Sequence, residues 1–171
     1  YLESKNKYEV YIAPGNHELR KDEEVFYKSK FGNQIFPYKI KDNNNIIIEN
    51  SYETFWNVSP ETIKQINTNK DPIIIRHNIP IKELISFANS EEGMSENLFS
   101  YSDLKNKIKN KSNITWIIGD SGGEDLPRLK CLTKDNHKFI INGIGQKPGD
   151  RILLINKNEF LVFLISKIAK P

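Results

Sequence analysis

Three groups of side chains in this sequence could bind a metal ion or transfer a proton. They are Asn16 with His17, then His77, and then Asp120. Imidazole nitrogen, amide oxygen and carboxylate oxygen are all donors to divalent metals, and an imidazole can also act as a general acid. Taken singly, each group is more simply explained as a polar residue at the end of an apolar segment. A shared site is expected only if the fold brings the groups together.

Each of these groups follows a short, apolar, β-rich run. Such runs predict strands, and in layered α/β folds the carboxyl ends of neighbouring strands meet at one edge of the sheet. We therefore expect the four side chains to share one site. In chain order, the three runs are residues 10–13, 73–75 and 114–118.

The remainder of the chain alternates helix and strand signals without a repeat or a domain boundary. Ser59 before Pro60 is typical of a helix start, and Ser102 with Asp103 predicts a second helix cap. Residues 81–100 have no clean period and predict a short helix followed by a long surface loop. The predicted helices cover 18–30, 60–69 and 104–109, and the further predicted strands cover 36–40, 46–49, 52–56, 138–142, 151–155 and 160–165.

Composition predicts a folded domain rather than a disordered or fibrous chain. The 171 residues are 37% apolar and 27% charged, in clear blocks of each kind. Lys and Arg number 25 against 22 Asp and Glu, and the net charge of +3 gives no support to nucleic-acid binding. The longest apolar run, 160–165, falls far short of the roughly 20 residues that cross a bilayer, so nothing in the sequence indicates a membrane partner.

Several other residues are expected to have structural roles and no part in a site. Cys131 is the only cysteine, so no disulfide forms within the chain, and we expect this thiol to be buried. His137 lies in a hairpin-like turn and is expected to be a solvated surface residue. Trp56 and Trp116 are expected in or near the core, and the Lys-rich segment 105–111 is expected to be a solvated face.

The segment around Asn16 resembles a signature of calcineurin-like metallophosphoesterases. Gly-Asn-His-Glu at 15–18 matches the family motif Gly-Asn-His-Asp/Glu, with a predicted strand before it and a predicted helix after it. The resemblance implies that Asn16 binds a metal through its amide oxygen and that His17 protonates or stabilises the departing alkoxide. Residues 73–80 are similar to the next family element, a strand that ends in a metal-binding His, which implies a ligand role for His77.

The sequence departs from the family pattern after the third strand. The family has Gly-His-x-His there, whereas residues 119–122 read Gly-Asp-Ser-Gly. Asp120 falls where the first metal-binding His belongs and, as a hard oxygen donor, can still bind Mn, Mg or Fe. Gly122 offers no side chain, so one metal position is weakened or is rebuilt by Glu124 or Asp125, which we otherwise interpret as solvated loop residues.

Two family motifs have no counterpart in the 15 residues before Asn16. They are Asp-x-His and Gly-Asp-x-x-Asp, which supply the bridging carboxylate and most ligands of the first metal. We therefore expect residues 1–171 to be the C-terminal portion of a single metallophosphoesterase-like domain. The implied fold class is α/β, an N-terminally truncated part of a four-layer α/β/β/α sandwich.

The resemblance implies metal-dependent hydrolysis of a phosphomonoester or phosphodiester at a dinuclear site of divalent ions, with Mn, Fe, Zn and Mg as candidates. The substrate would be a phosphorylated small molecule or macromolecule, and this chain alone would supply part of the site and be inactive. A phosphoesterase-like binding or scaffold module without catalysis is the alternative, which Gly122 favours and the intact 15–18 motif opposes. Because the chain begins at Tyr1 without a Met, its N-terminus does not indicate the compartment. The sequence does not indicate the oligomeric state.

Overall fold

The computed structural model describes residues 13, 45–51, 56–88, 98–119 and 129–142, and the backbone of 38–39, 151–156 and 159–164. A 3₁₀ turn at Lys82–Leu84 leads directly into a short helix. The strands are β1 (Tyr38–Lys39), β2 (Ile46–Ile48), β3 (Ile73–Arg76), β4 (Ile114–Ile118), β5 (Leu129–Lys134), β6 (His137–Asn142), β7 (Arg151–Asn156) and β8 (Glu159–Leu164), and the helices are α1 (Pro60–Thr68), α2 (Ile85–Ala88) and α3 (Tyr101–Lys107).

Within the described part of the chain, six strands form one mixed sheet in the order β1-β2-β3-β4-β6-β5. Its centre is parallel, because β2, β3, β4 and β6 run in the same direction. β1 and β5 stand at the two ends of this order, and each runs antiparallel to its neighbour, β2 and β6 respectively. β7 and β8 pair with each other as an antiparallel hairpin. The predicted α/β class is confirmed.

The core lies where the helices pack on one face of this sheet. Ile47, Ile74, Trp116 and Phe139 are register partners on adjacent strands, share that face, and belong to one buried cluster with residues of all three helices. On the opposite face, side chains such as Ile73 are buried as well. A strand that is covered on both faces has a nearly continuous run of apolar residues. For this reason 73–75 and 114–118 were predictable as strands.

Helix starts follow local capping rules. Ser59 caps α1 by accepting a hydrogen bond from the Thr62 amide over 3.0 Å, with Pro60 as the first helical residue, as predicted. The cap predicted at Ser102 with Asp103 is displaced. Ser100 is the N-cap of α3, because its hydroxyl accepts from the Asp103 amide while the Asp103 carboxylate accepts from the Ser100 amide.

Two side chains differ from the sequence prediction in their exposure. Cys131 is exposed rather than buried, because it lies on β5, which pairs with β6 on one side and stands last in the order of the sheet. His137 is buried rather than solvated, because it is the first residue of β6 and not part of the preceding turn at Asp135 and Asn136. β5 itself was missed, since its alternation of apolar and polar residues is weak.

Other predicted elements fall outside the description. They include the strand over 10–13 apart from residue 13, the helix over 18–30, residues 52–55 of the extended piece over 52–56 and most of the long loop before Ser100. The short helix predicted after 81 is present as the 3₁₀ turn and α2. Among the helices that the structure describes, none has the length and apolar character needed to span a bilayer.

Candidate functional site at the carboxyl ends of β3 and β4

His77 lies immediately after β3, at the carboxyl edge of the sheet. β3 and β4 are parallel with Arg76 opposite Ile118, so His77 comes level with Gly119. The Gly119 amide donates a hydrogen bond to the Arg76 carbonyl over 3.0 Å. A Cβ atom added to Gly119 would lie 3.4 Å from His77 Nδ1. The half-buried imidazole therefore lies directly against the end of β4.

Of the four predicted site residues, His77 is the one that the structure describes. Gly119, which lies against His77, immediately precedes Asp120 in the chain. The predicted ligand His77 therefore lies at the end of β4, the strand that leads to the predicted ligand Asp120. The other predicted site residues and the two acidic candidates for the rebuilt position lie outside the described residues: Asn16, His17, Asp120, Glu124 and Asp125.

A buried ion pair adjoins His77, and the sequence analysis did not predict it. Arg76, the last residue of β3, is 1% exposed, and Glu49, directly after β2, is 0% exposed. Arg76 Nη1 donates to Glu49 Oε2 over 2.8 Å, and neither side chain reaches solvent. Removing such ions from water costs several kcal/mol each, about the size of their mutual attraction, so the pair is tolerated only with further hydrogen bonds.

Those further bonds are present on both ions. Arg76 Nε donates to the Asn78 carbonyl over 2.7 Å, and Arg76 Nη2 donates to the Trp56 carbonyl. Glu49 Oε1 accepts from the Ser59 amide over 2.7 Å. The ion pair thus joins the ends of β2 and β3 to the start of α1 and to the backbone around His77.

The chain after β2 is bound to the same edge. Ser51 Oγ donates to Asn78 Oδ1 over 2.7 Å and accepts from the Asn78 amide over 3.2 Å. The Trp56 amide donates to the Ser51 carbonyl over 2.8 Å. Trp56 has a φ of 72°, in the left-handed region that bulky residues rarely adopt, so its predicted extended conformation is wrong. Such a conformation costs on the order of 1–3 kcal/mol and persists where surrounding bonds fix it.

A sequence signal for the ion pair existed. Arg76 ends a run of three isoleucines, and Glu49 directly follows another run of three. Opposite charges at the carboxyl ends of two buried strands are expected to pair if those strands are parallel neighbours. The observed register makes them so, since Ile48 pairs with Ile75. The order of the strands, which a single sequence does not reveal, was the missing step.

The amino edge of the same sheet holds a different polar group. His137 starts β6, is 1% exposed, and accepts a hydrogen bond at Nδ1 from Trp116 Nε1 over 3.1 Å. The Tyr101 ring meets its imidazole edge-on at 5.5 Å between ring centroids. Burial lowers the pKa of His137 from 6.5 to about 4, with nearby Asp135 raising it and Lys105 lowering it further. His137 is therefore neutral, and the bond from Trp116 requires an unprotonated Nδ1.

Charged groups surround this histidine at the surface. The Tyr101 hydroxyl donates to the Lys134 carbonyl over 3.0 Å and to Asp135 Oδ2 over 3.2 Å. Lys105 Nζ pairs with Asp135 Oδ2 at 2.5 Å, with both side chains about half exposed. Burial and the bond to Asp135 raise the pKa of Tyr101 to about 12. The hydrogen bonds from Lys105 and Tyr101 lower the pKa of Asp135.

An asparagine cluster, Asn67, Asn110 and Asn136, closes the same edge. Asn110 Nδ2 donates to the Ile66 and Asn69 carbonyls, and its Oδ1 accepts from the Ser112 amide. Asn67 Oδ1 accepts from the amides of Lys109 and Asn110, and Asn136 Nδ2 donates to the Ser112 carbonyl. These amides link the end of α1 to the segment before β4 and to the turn before β6. Their role is to join elements.

The donor groups at the carboxyl edge decide what the site could bind. His77 offers an imidazole nitrogen at the end of a strand, a suitable first donor for a divalent metal. Among the residues that the structure describes, no three His, Cys, Asp or Glu side chains are grouped closely enough to hold a metal ion. Further ligands would therefore come from outside the described ranges.

Comparison of the chain with protein-family models, with curated proteins and with solved structures gave no match. The motif at 15–18 and the geometry around His77 are therefore the features that point to a function.

Proposed function

We propose that this chain belongs to a metal-dependent hydrolase of phosphate esters, acting on a phosphomonoester or phosphodiester. The observation that carries the proposal is the contact between His77 and Gly119 at the carboxyl ends of two parallel strands, one residue before Asp120. Ligand sites in open α/β sheets collect at this edge, so the placement of His77 favours a site over a merely polar strand end.

The resemblance implies a role for each of the predicted residues. Asn16, His77 and Asp120 would hold divalent metal ions, with Mn, Fe, Zn and Mg as candidates. The chemistry that such ions supply is activation of a water molecule and neutralisation of charge on the phosphate oxygens. His17 would donate a proton to the leaving alkoxide as a general acid. A carboxylate at 120 in place of an imidazole favours harder ions such as Mn, Mg or Fe.

The proposed architecture is a four-layer α/β/β/α sandwich, of which residues 1–171 form the C-terminal portion. Two features support it. Side chains on both faces of the six-stranded sheet are buried, as Ile74 and Ile73 illustrate, and helices cover one of those faces. The β7 and β8 hairpin pairs separately from that sheet. A second sheet against the face that carries Ile73 would account for both features.

The test is hydrolysis by the full-length protein. The protein is stripped with a chelator and reloaded with Mn²⁺, Fe²⁺, Zn²⁺ or Mg²⁺. Hydrolysis of p-nitrophenyl phosphate and of bis-p-nitrophenyl phosphate is then measured for the wild type and for His17→Ala. We expect metal-dependent turnover and a decrease in kcat of about 10²- to 10⁴-fold in the variant, because a general acid is lost.

Cys131→Ser is the matched control, since it removes another side chain able to bind metal, exposed on β5 and not at the carboxyl edge of β3. Its turnover should equal that of the wild type. A full-length protein that binds no divalent metal, or a His17→Ala variant with unchanged turnover, would contradict the proposal. Tight metal binding without hydrolysis of either ester would instead support the binding or scaffold module.

A further inference from the structure

The backbone on both sides of His77 is fixed by the residues that flank it. Before it, the Arg76 carbonyl accepts from the Gly119 amide over 3.0 Å. After it, the Asn78 carbonyl accepts from Arg76 Nε over 2.7 Å, and the Asn78 amide donates to Ser51 Oγ over 3.2 Å. The Arg76 side chain therefore turns back and binds the chain two residues on, which closes a small loop around His77.

This loop depends on the shape of a guanidinium group. Nε, Nη1 and Nη2 of Arg76 donate in different directions, to Asn78, Glu49 and Trp56. A lysine ammonium carries the same charge but lacks the planar arrangement of donors that serves three fixed acceptors. Glu49 is held in turn by the Ser59 amide at the start of α1. These hydrogen bonds thereby fix the His77 backbone relative to α1, a packed helix.

Stability alone does not account for this arrangement. A buried ion pair is weak evidence for stability, because apolar residues of similar volume are often neutral or stabilising in its place. The pair also provides local charge balance, since without Glu49 the Arg76 cation would remain one residue from His77 and would disfavour a bound metal cation. Residues that orient metal ligands from behind typically change metal affinity by about 10- to 100-fold when they are replaced.

We propose that Arg76 and Glu49 are positioning residues that hold the His77 imidazole at the end of β4 for metal binding, an inference that rests on the proposed function. Arg76 fixes the loop around His77, and Glu49 fixes Arg76 and balances its charge. Neither residue is exposed enough to touch a substrate, so both act through His77.

The test observes the His77 ring itself. Full-length protein is labelled with ¹³C at histidine Cε1, and the His77 signal is assigned by its loss in His77→Asn. Two variants are compared with the wild type: Arg76→Lys, which keeps the charge, and the double variant Glu49→Leu with Arg76→Met, which keeps the volume but removes both charges. Each protein is titrated with Zn²⁺ as the probe, and its melting temperature is recorded.

We expect the metal-free His77 signal to shift and change width in both variants, and the Zn²⁺ affinity at His77 to decrease by about 10- to 100-fold. The double variant removes the hydrogen bonds to the Asn78 and Trp56 carbonyls and from the Ser59 amide, so it should melt below the wild type but above Arg76→Met, which also leaves a buried charge without its counter-ion. A purely stabilising role would not lower the Zn²⁺ affinity of the folded protein. Asp135→Asn is the control, because it removes an ion pair at the opposite edge and should leave the His77 signal unchanged.

Folded Arg76→Lys and double variants with wild-type His77 signals and wild-type Zn²⁺ affinity would overturn the positioning role and leave the proposed function intact. A wild-type His77 signal that does not respond to Zn²⁺, Mn²⁺ or Mg²⁺ would overturn the proposed function. That result would also overturn the role of Arg76 and Glu49 in metal binding, and a change of the metal-free signal in the variants would then show only that the two residues fix the position of the His77 ring.

Discussion

The carboxyl edge and the amino edge of the parallel strands bury polar groups of opposite kinds. At the carboxyl edge, Glu49 and Arg76 are buried as ions, and hydrogen bonds serve both of them. At the amino edge, His137 is buried as a neutral ring that accepts one bond from Trp116, while the charges of Lys105 and Asp135 stay at the surface. The edge that keeps buried charge is the edge that carries His77.

This difference indicates what each edge is for. A neutral, stacked aromatic group such as Trp116 with His137 fits a core and costs little to bury. A fully buried ion pair costs much more and returns little stability, but it fixes the direction of the groups that it binds. We therefore interpret the amino edge as a joint between elements and the carboxyl edge as the framework of the proposed site.

The largest effect is expected from breaking the ion pair on one side. Arg76→Met leaves the Glu49 carboxylate buried without its counter-ion and should lower the free energy of unfolding by about 3–5 kcal/mol. Urea denaturation followed by circular dichroism measures the change. Adding Glu49→Leu should restore part of the loss, because the buried charge is gone while the hydrogen bonds to the Asn78 and Trp56 carbonyls stay absent. A decrease below about 1 kcal/mol for Arg76→Met would show that the charges are not buried as described.

Acid should act on the amino edge. The pKa of His137 is about 4 in the folded protein and 6.5 unfolded, so the unfolded chain takes up the proton first as the pH falls. The stability that neutral His137 contributes is complete above pH 6.5 and is lost between pH 6.5 and about 4. It amounts to roughly 3 kcal/mol.

His137→Gln provides the comparison, because an amide oxygen can still accept from Trp116 but does not titrate. Unfolding free energies measured from pH 7 to pH 4 should fall more steeply in the wild type than in this variant. Equal slopes would mean that His137 is accessible to protons in the folded state, contrary to its burial.

A smaller effect is expected from the asparagine cluster. Asn110→Ala removes the hydrogen bonds to the Ile66 and Asn69 carbonyls and from the Ser112 amide and should cost about 2 kcal/mol, because these groups are partly buried. Asn106→Ala, at an exposed position of α3, is the matched control and should be neutral or slightly stabilising. Thermal unfolding of the two variants separates them. Similar melting temperatures would show that the cluster does not join α1 to the segment before β4.

The smallest effect is expected from the exposed pair of Lys105 and Asp135. Asp135→Asn should leave the free energy of unfolding almost unchanged at physiological salt, since half-exposed ion pairs contribute little. The φ of 51° at Asp135 is also well tolerated by asparagine. A loss of stability as large as that of Asn110→Ala would mean that this surface ion pair is strongly stabilising, and it would weaken the contrast between the two edges.

Local sequence signals predicted much of the fold. The isoleucine-rich runs gave β3 and β4, the Ser59 and Pro60 pair gave the start of α1, and the turn residues around 157 gave the β7 and β8 hairpin. Each of these signals depends on residues that are neighbours in the sequence, so a single sequence is enough to recognise it. The start of α3 was displaced because Ser100 and Ser102 are both adequate caps and only the reciprocal bonds with Asp103 distinguish them.

Features that depend on strand order could not be predicted. The pairing of Glu49 with Arg76 needs β2 beside β3, and the burial of His137 needs β6 beside β4. The exposure of Cys131 likewise follows from the place of β5 after β6 in the sheet. For the candidate site, the type of residue at 77 and its place after a strand were predictable, but its contact with Gly119 was not.

Metal binding at His77 is the most direct test of the central claim. Isothermal titration of chelator-treated full-length protein with Mn²⁺ should show binding in the wild type and in Cys131→Ser, and a loss of affinity of at least about tenfold in His77→Asn. Such a result would support a metal site at the carboxyl ends of β3 and β4. Equal Mn²⁺ affinity in the wild type and in His77→Asn, or no binding by either, would contradict it.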